Sequence, residues 1–152
     1  MSTQPHIYVD ADACPVKPET VKVALRHGLP VTFVANSWMQ TPRGPQIRME
    51  VVSGGFDAAD DWIAGQVRAG DIVITADIPL ASRCLNEGAR VLGPAGKPFT
   101  EDNIGNALAT RELMADLRAY GVGGGPPPFD QRDRSRFLQA LELAVRDVTG
   151  AR

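Results

Sequence analysis

Hydrophobic positions along the 152-residue chain fall into two alternating patterns. Short β-branched runs bounded by turn residues predict strands at Ile7 to Asp10, Val31 to Ala35, Ile47 to Val52 and Ile72 to Thr75, with a shorter one at Arg90 to Leu92. Between them, apolar residues at helical spacing predict helices over Pro18 to His27 (Val21, Val23, Ala24, Leu25), Ala58 to Val67 (Trp62, Ile63, Val67) and Leu80 to Glu87 (Leu80, Ala81, Cys84, Leu85). Gly28, Gly70 and Gly88 follow where a helix end favours a left-handed residue. Strands that are nearly continuous apolar runs, alternating with helices, imply an α/β fold of three αβα layers around a mostly parallel sheet.

Further along, Thr100 or Glu101 opens a helical pattern through Leu108, Leu113 and Leu117 that ends at Tyr120-Gly121. The breaker "GVGGGPPPFDQ" follows, and then an amphipathic helix carrying Phe137, Leu138, Leu141, Leu143 and Val145. One domain over 1–152 is expected, with 121–152 forming a Gly/Pro-rich loop and a C-terminal helix. That loop reads either as a flexible linker or as a fixed turn whose glycines let backbone approach a ligand. The polar stretch from Asn36 to Gln46 joins two strands without a helical pattern, as functional loops often do.

Composition narrows the classes little: 43% hydrophobic and 22% charged residues describe an ordinary globular protein. A formal charge of -2 gives no global attraction to nucleic acid, so such binding would need a local basic patch. Cys14 and Cys84, without a CxxC pairing or an apolar leader, point to a reduced cytoplasmic setting. No apolar run approaches the roughly 18 residues of a membrane span.

The chemistry concentrates in carboxylates. Asp10 and Asp12 end the first strand in "HIYVDADACPVK", and Asp77 follows the strand in "GDIVITADIPLA". In an open parallel sheet ligands bind beyond the carboxyl ends of the strands, so these residues share one end. "FDAADDWI" adds Asp57, Asp60 and Asp61 in the first turns of a helix. Capping and the helix dipole account for Asp57 and offer an explanation for Asp60, Asp61 and Asp12. Strand termination is the ordinary account of Asp10 and Asp77, but crowded carboxylates repel unless a cation or shared proton relieves them. Oxygen ligands without a His/Cys set suit Mg²⁺ or Mn²⁺, held by a few carboxylates, waters and a substrate phosphate.

Taken together and in order, "VDADACPVK", "GFDAADDWI", "GDIVITADIPLA", "GPAGKPFTEDNIGNALATR" and "GGGPPPFDQRDRSRF" resemble the YaiI/YqxD family of bacterial proteins, over nearly the whole chain. That family is in turn similar to PIN-like nuclease domains, which hold one or two divalent ions with acidic residues at strand ends. The resemblance implies metal ligands at Asp10, Asp12, Asp60 or Asp61, and Asp77, with Asp10, Asp12 and Asp77 catalytic. Many PIN domains have glutamate in the middle position, where this chain has Asp60 and Asp61.

Lys17, Arg43, Lys97, Arg111 and Arg134 are candidates for phosphate contact, and the resemblance favours Lys97, Arg111 and Arg134. Arg132, Arg134 and Arg136 alternate with Asp130 and Asp133, which also describes a salt-bridged helix start. Trp38 and Phe129 can stack on bases or pack in a core. Cys14 reads as a packing residue, since neither His6, expected at the surface, nor His27 is tied to it by a motif.

Three functions compete. The first is a metal-dependent phosphodiesterase, a ribonuclease of PIN-like type acting on RNA with Mg²⁺ or Mn²⁺. The second is a non-catalytic RNA- or nucleotide-binding module of the same fold. The third is a haloacid-dehalogenase-like phosphatase using Asp10 as nucleophile and Asp12 as acid, with Ser37 at the phosphate.

Overall fold

The computed structural model describes residues 4–12, 14–55, 57–119, 121 and 128–150. The elements run β1 (Ile7–Asp10), α1 (Lys17–His27), β2 (Val31–Ala35), β3 (Ile47–Val51), α2 (Ala58–Gln66), β4 (Ile72–Ile74), α3 (Ile78–Asn86), β5 (Arg90–Leu92), β6 (Pro98–Phe99), α4 (Glu101–Ala119) and α5 (Gln131–Thr149). The sheet order is β3-β2-β1-β4-β5-β6. β1 to β5 pair in parallel, and the two-residue β6 returns antiparallel to β5. From β1 the chain winds outward to β2 and β3, then crosses back to β4 on the other side. The crevice between β1 and β4 is therefore the point at which winding reverses.

Strand alternation sorts the core into two faces. Ile7, Val9, Val31, Phe33, Ile72 and Ile74 meet α1 and α5 through Val21, Ala24, Phe137 and Leu141. Tyr8, Val34, Val73 and Val91 meet α2 and α3 through Ala59, Ile63, Leu80 and Cys84. α4 packs outside α3, with Ile104 against this second cluster. Each fully buried large side chain such as Phe33 or Phe137 contributes about 1.5–3 kcal/mol of apolar transfer free energy. Cys14 and Cys84 are free, buried and on opposite faces of the sheet.

On α5, Phe137, Leu141, Ala144 and Val145 form a single buried stripe at helical spacing. A reciprocal capping box between Asp130 and Asp133 starts the helix. Its N-terminal half lies at the carboxyl end of the sheet, because the β5–β6 turn seats Gly96 against it. A Cβ on Gly96 would stand 2.6 Å from the Arg136 carbonyl carbon and oxygen, and φ is +88°, so only glycine fits. At the far end of α5, Asp147 pairs with Arg90 at the amino end of β5. The C-terminal helix is thus built into the core, while residues 122–127 of the Gly/Pro-rich stretch lie outside the described residues. Among the described residues no helix is long and apolar enough to cross a membrane.

Candidate functional site

Asp10 follows Val9 in the alternation, so its side chain falls on the α2/α3 face of the sheet. This is why it meets Asp60 of α2 and Asp77 before α3 rather than groups on α1. The Thr75 hydroxyl donates to Asp10 Oδ2 at 2.8 Å and accepts from the Asp77 N–H at 2.9 Å, linking the ends of β1 and β4. Asp77 Oδ1 in turn accepts the Leu80 N–H at 2.9 Å and caps α3, whose first turn holds Pro79. Helix capping, expected mainly of Asp57, is therefore performed by Asp77. Asp57 occupies the N-cap position of α2 without a side-chain cap bond.

The electrostatics of this corner are adverse. Burial, together with the charges of Asp77, Asp10 and Asp57, pushes the Asp60 carboxyl up to about 6, with Arg83 opposing. Asp10 is also raised, chiefly by burial and further by Asp77 and Asp12, against the Thr75 hydrogen bond. Asp12 is exposed and accepts the Asn36 N–H at 3.2 Å. Asp61, one position round the helix from Asp60, points to solvent and pairs with Arg83 at 2.8 Å. The five expected metal ligands thus divide: Asp10, Asp60 and Asp77 share one electrostatic cluster, Asp12 borders it, and Asp61 turns away.

Among the described residues no three His, Cys, Asp or Glu side chains are arranged to hold a metal ion by themselves. The donor chemistry nonetheless suits a hard cation, since Asp10 and Asp77 offer oxygen only and Mg²⁺ commonly takes one or two carboxylates with water and substrate phosphate. A cation here would also relieve the repulsion that adds to burial in raising Asp60.

Four of the five expected phosphate contacts lie at the same end. Lys17 opens α1 and its ammonium donates to the Cys14 carbonyl at 2.8 Å. Arg134, near the start of α5, donates to the Pro15 carbonyl at 2.7 Å, pairs with Glu19 at 3.2 Å and lies 5.0 Å above the Phe129 ring. Lys97 and Arg111 line an open groove of about 640 Å³ that begins at Ala76 and Ile78, either side of Asp77. Arg43 does not join them. It precedes Gly44, whose carbonyl accepts the Ile47 N–H, while the Gln46 carbonyl accepts from Val31, so this end of the loop lies at the amino edge of β2 and β3.

The remaining candidates resolve individually. Trp38 is 73% exposed on the loop leaving β2, so its role is not core packing. His6 is half-buried rather than superficial, stacked on Tyr8 and bonded through Nε2 to Thr32 at 2.7 Å. Cys14 is buried and its thiol is pushed up by burial, which suits packing rather than nucleophilic attack. In the alternating run, Arg136 pairs with Asp133 as a salt-bridged helix start would, whereas Arg134 reaches across to α1. Sequence reasoning missed Thr75, although "TAD" contains the hydroxyl-to-backbone spacing that could have revealed it. It also missed Glu19, whose Oε1 is buried without a hydrogen-bond partner among the described residues.

A family model described as "Uncharacterized BCR, YaiI/YqxD family" matches residues 8–147. A relative named UPF0178 protein in Rhodopseudomonas palustris (strain TIE-1) is 58% identical over 147 residues, covering 96% of this chain and 93% of its own. UPF0178 proteins of Bradyrhizobium diazoefficiens and Paramagnetospirillum magneticum are 56% and 60% identical, covering 96% and 93% of this chain and 88% and 95% of theirs. No solved structure matches this chain significantly. Expected from five motifs and matched over residues 8–147, the chain belongs to the YaiI/YqxD family.

Proposed function

We propose that this protein is a divalent-metal-dependent phosphodiesterase of PIN-like type, acting on nucleic acid, RNA in the first instance. The observation that carries the reading is the convergence of Asp10, Asp60 and Asp77 at the β1/β4 crevice, where burial and, after it, mutual repulsion raise Asp60 to about 6. Asp10 and Asp77 would hold Mg²⁺ or Mn²⁺, with Asp60 and Asp12 accepting from its waters. When bound, such an ion would neutralise charge on a scissile phosphate and lower the pKa of water. The residues' own contribution is positional. Thr75 fixes Asp10 against Asp77, α3 anchors Asp77 through its cap, and Asp60 can accept a proton near neutrality. Lys17 and Arg134 would supply cationic contacts from the α1 side. Buried, unpaired Cys14 and Cys84 favour the reducing cytoplasm as the setting.

A second reading, a non-catalytic RNA-binding module, draws on the same geometry: Asp77 and Asp12 already accept backbone N–H groups, and among the described residues no three ligands stand ready for a metal. Titration calorimetry of Mn²⁺ separates the two. Wild type is expected to bind, and an Asp10→Asn/Asp77→Asn variant, which keeps shape and the α3 cap, to lose binding while folded by circular dichroism. Retained binding in that variant removes the proposed site, and metal binding without cleavage of single-stranded RNA favours the module. Trapping of a phosphorylated Asp10 would instead establish the phosphatase, since the nuclease scheme forms no such intermediate.

A further inference from the structure

The groove beside Asp77 runs between the β5–β6 turn and α4. Its lining includes Ile78, Phe99 and Met114 as apolar surface, and Asn106, Lys97 and Arg111 as polar groups. At about 640 Å³ it lies within the range of roughly 300–1,000 Å³ that small-molecule sites occupy. We propose that this groove is a nucleotide subsite, taking the unit next to the scissile phosphate of a single-stranded nucleic acid, its base on Ile78, Phe99 and Met114 and its phosphate at Lys97 and Arg111.

Charge supports that occupant. Arg26, Arg83, Arg90, Arg134, Arg136 and Arg146 each pair with a carboxylate. The Lys97 and Arg111 side chains have no hydrogen bond or ion pair among the described residues, and both are exposed. Two uncompensated cations stand beside a cluster of three carboxylates on a chain of net charge -2. An anion entering the groove meets attraction, while the acidic crevice alone would repel it. The apolar surface makes free phosphate a poorer match than a nucleotide, whose base has a face to bury. The apolar lining argues for a single strand, because a duplex keeps its bases stacked inside and could present only backbone to the groove. The Asn106 amide is exposed, without a hydrogen-bond partner among the described residues, and offers both donor and acceptor to a base edge. Gly96, wedged on α5, fixes the turn that carries Lys97, so the cation is presented from a braced loop.

The inference rests on the phosphodiesterase reading for the identity of the neighbouring phosphate, but the test separates them. Fluorescence anisotropy of a labelled oligouridylate of about eight nucleotides is measured in EDTA, where no cleavage occurs, with folding of each variant checked by circular dichroism. Lys97→Ala/Arg111→Ala is expected to weaken binding about tenfold at low salt and to reduce the salt slope by about 0.7, the value for one phosphate contact on a single strand. Arg48→Ala/Arg68→Ala removes the same charge elsewhere and is expected to leave affinity unchanged, and a duplex of equal length is expected to compete at least tenfold less well. Equal loss in the two double variants, unchanged affinity in the first, equal competition by duplex, or no binding by wild type would each overturn the subsite. If the groove variant loses binding as expected but wild type never cleaves the strand in Mn²⁺, the subsite stands and the catalytic reading falls. If wild type cleaves and the groove variant cleaves with unchanged KM, the catalytic reading stands and the subsite falls.

Discussion

Carboxylates at the two ends of this sheet are treated in opposite ways. Toward the amino end, Glu142 on α5 accepts from Arg26, His27 and Arg146, each at 2.8 Å, and these donors hold its carboxyl down at about 2. Asp71, 7% exposed, accepts the His6 N–H on one oxygen and the Arg68 N–H on the other. At the carboxyl end Asp60 faces Asp10 and Asp77 and is pushed up to about 6. The same residue class therefore ties elements together at one end and strains them at the other. Compensated charge explains itself by stability, whereas uncompensated charge costs stability and is sensibly sought where a ligand completes it.

The largest effect should come from breaking the compensated end. Glu142→Gln removes the charge that joins α1 to α5 and should cost about 1–2 kcal/mol at neutral pH, lowering Tm by about 3–6 °C. The sign with pH follows from a folded pKa depressed from 4.5 to about 2. The stabilisation is complete above about 4.5 and disappears as pH falls through about 2. Melting curves of variant and wild type should therefore converge at low pH, and a gap that persists there would show that packing rather than charge holds this contact.

Asp60→Asn should act in the opposite direction. Its folded pKa, about 6, exceeds the ordinary 3.8, so ionised Asp60 destabilises the fold. Below about 3.8 both states are protonated and the substitution is neutral. The cost grows between about 3.8 and 6 and is complete above. After discounting for solvent screening of a half-exposed group, Tm should rise by about 2–4 °C at pH 8, roughly 1 kcal/mol, with no change near pH 3. Added Mn²⁺ should then raise the wild-type Tm more than the variant's. Equal shifts would mean that the cation does not answer the repulsion at Asp60.

The fold and one half of this contrast, the acidic cluster, are legible in the sequence, and the limits are physical. Five strands were readable because β-branched runs bounded by turns leave no other economical burial. β6 was missed because Pro98 and Phe99 alone carry no periodicity, and its existence depends on the turn braced by Gly96. The gathering of Asp10 with Asp77 follows from parallel strands sharing an end. Which acidic residue of α2 joins them does not, since Asp60 and Asp61 are adjacent and differ only by rotation about the helix axis. The separation of Arg43 from the other candidates has a related origin: a loop between parallel strands starts at one end of the sheet and finishes at the other, so its residues cannot be assigned to an end from position in the loop alone. Compensation at Glu142 was equally hidden, because its partners Arg26 and His27 lie more than a hundred residues away in sequence.

The smallest expected effect gives the sharpest division. Asp61 and Asp60 share a helix turn and a charge, yet Asp61 is 65% exposed and its partner Arg83 is 49% exposed. Exposed single-contact pairs of this kind contribute at most about 0.5 kcal/mol when they contribute at all, so Asp61→Asn should change Tm by no more than about 2 °C. Its informative readout is Mn²⁺ affinity, which should stay within about twofold of wild type, while Asp60→Asn weakens it several-fold by removing a negative charge beside the ion and its waters. A reversed order would mean that α2 presents Asp61 to the cation once Arg83 is displaced. The contrast between paired and unpaired carboxylates would then describe a resting arrangement of the site, with the Arg83 ion pair as the contact that metal binding breaks.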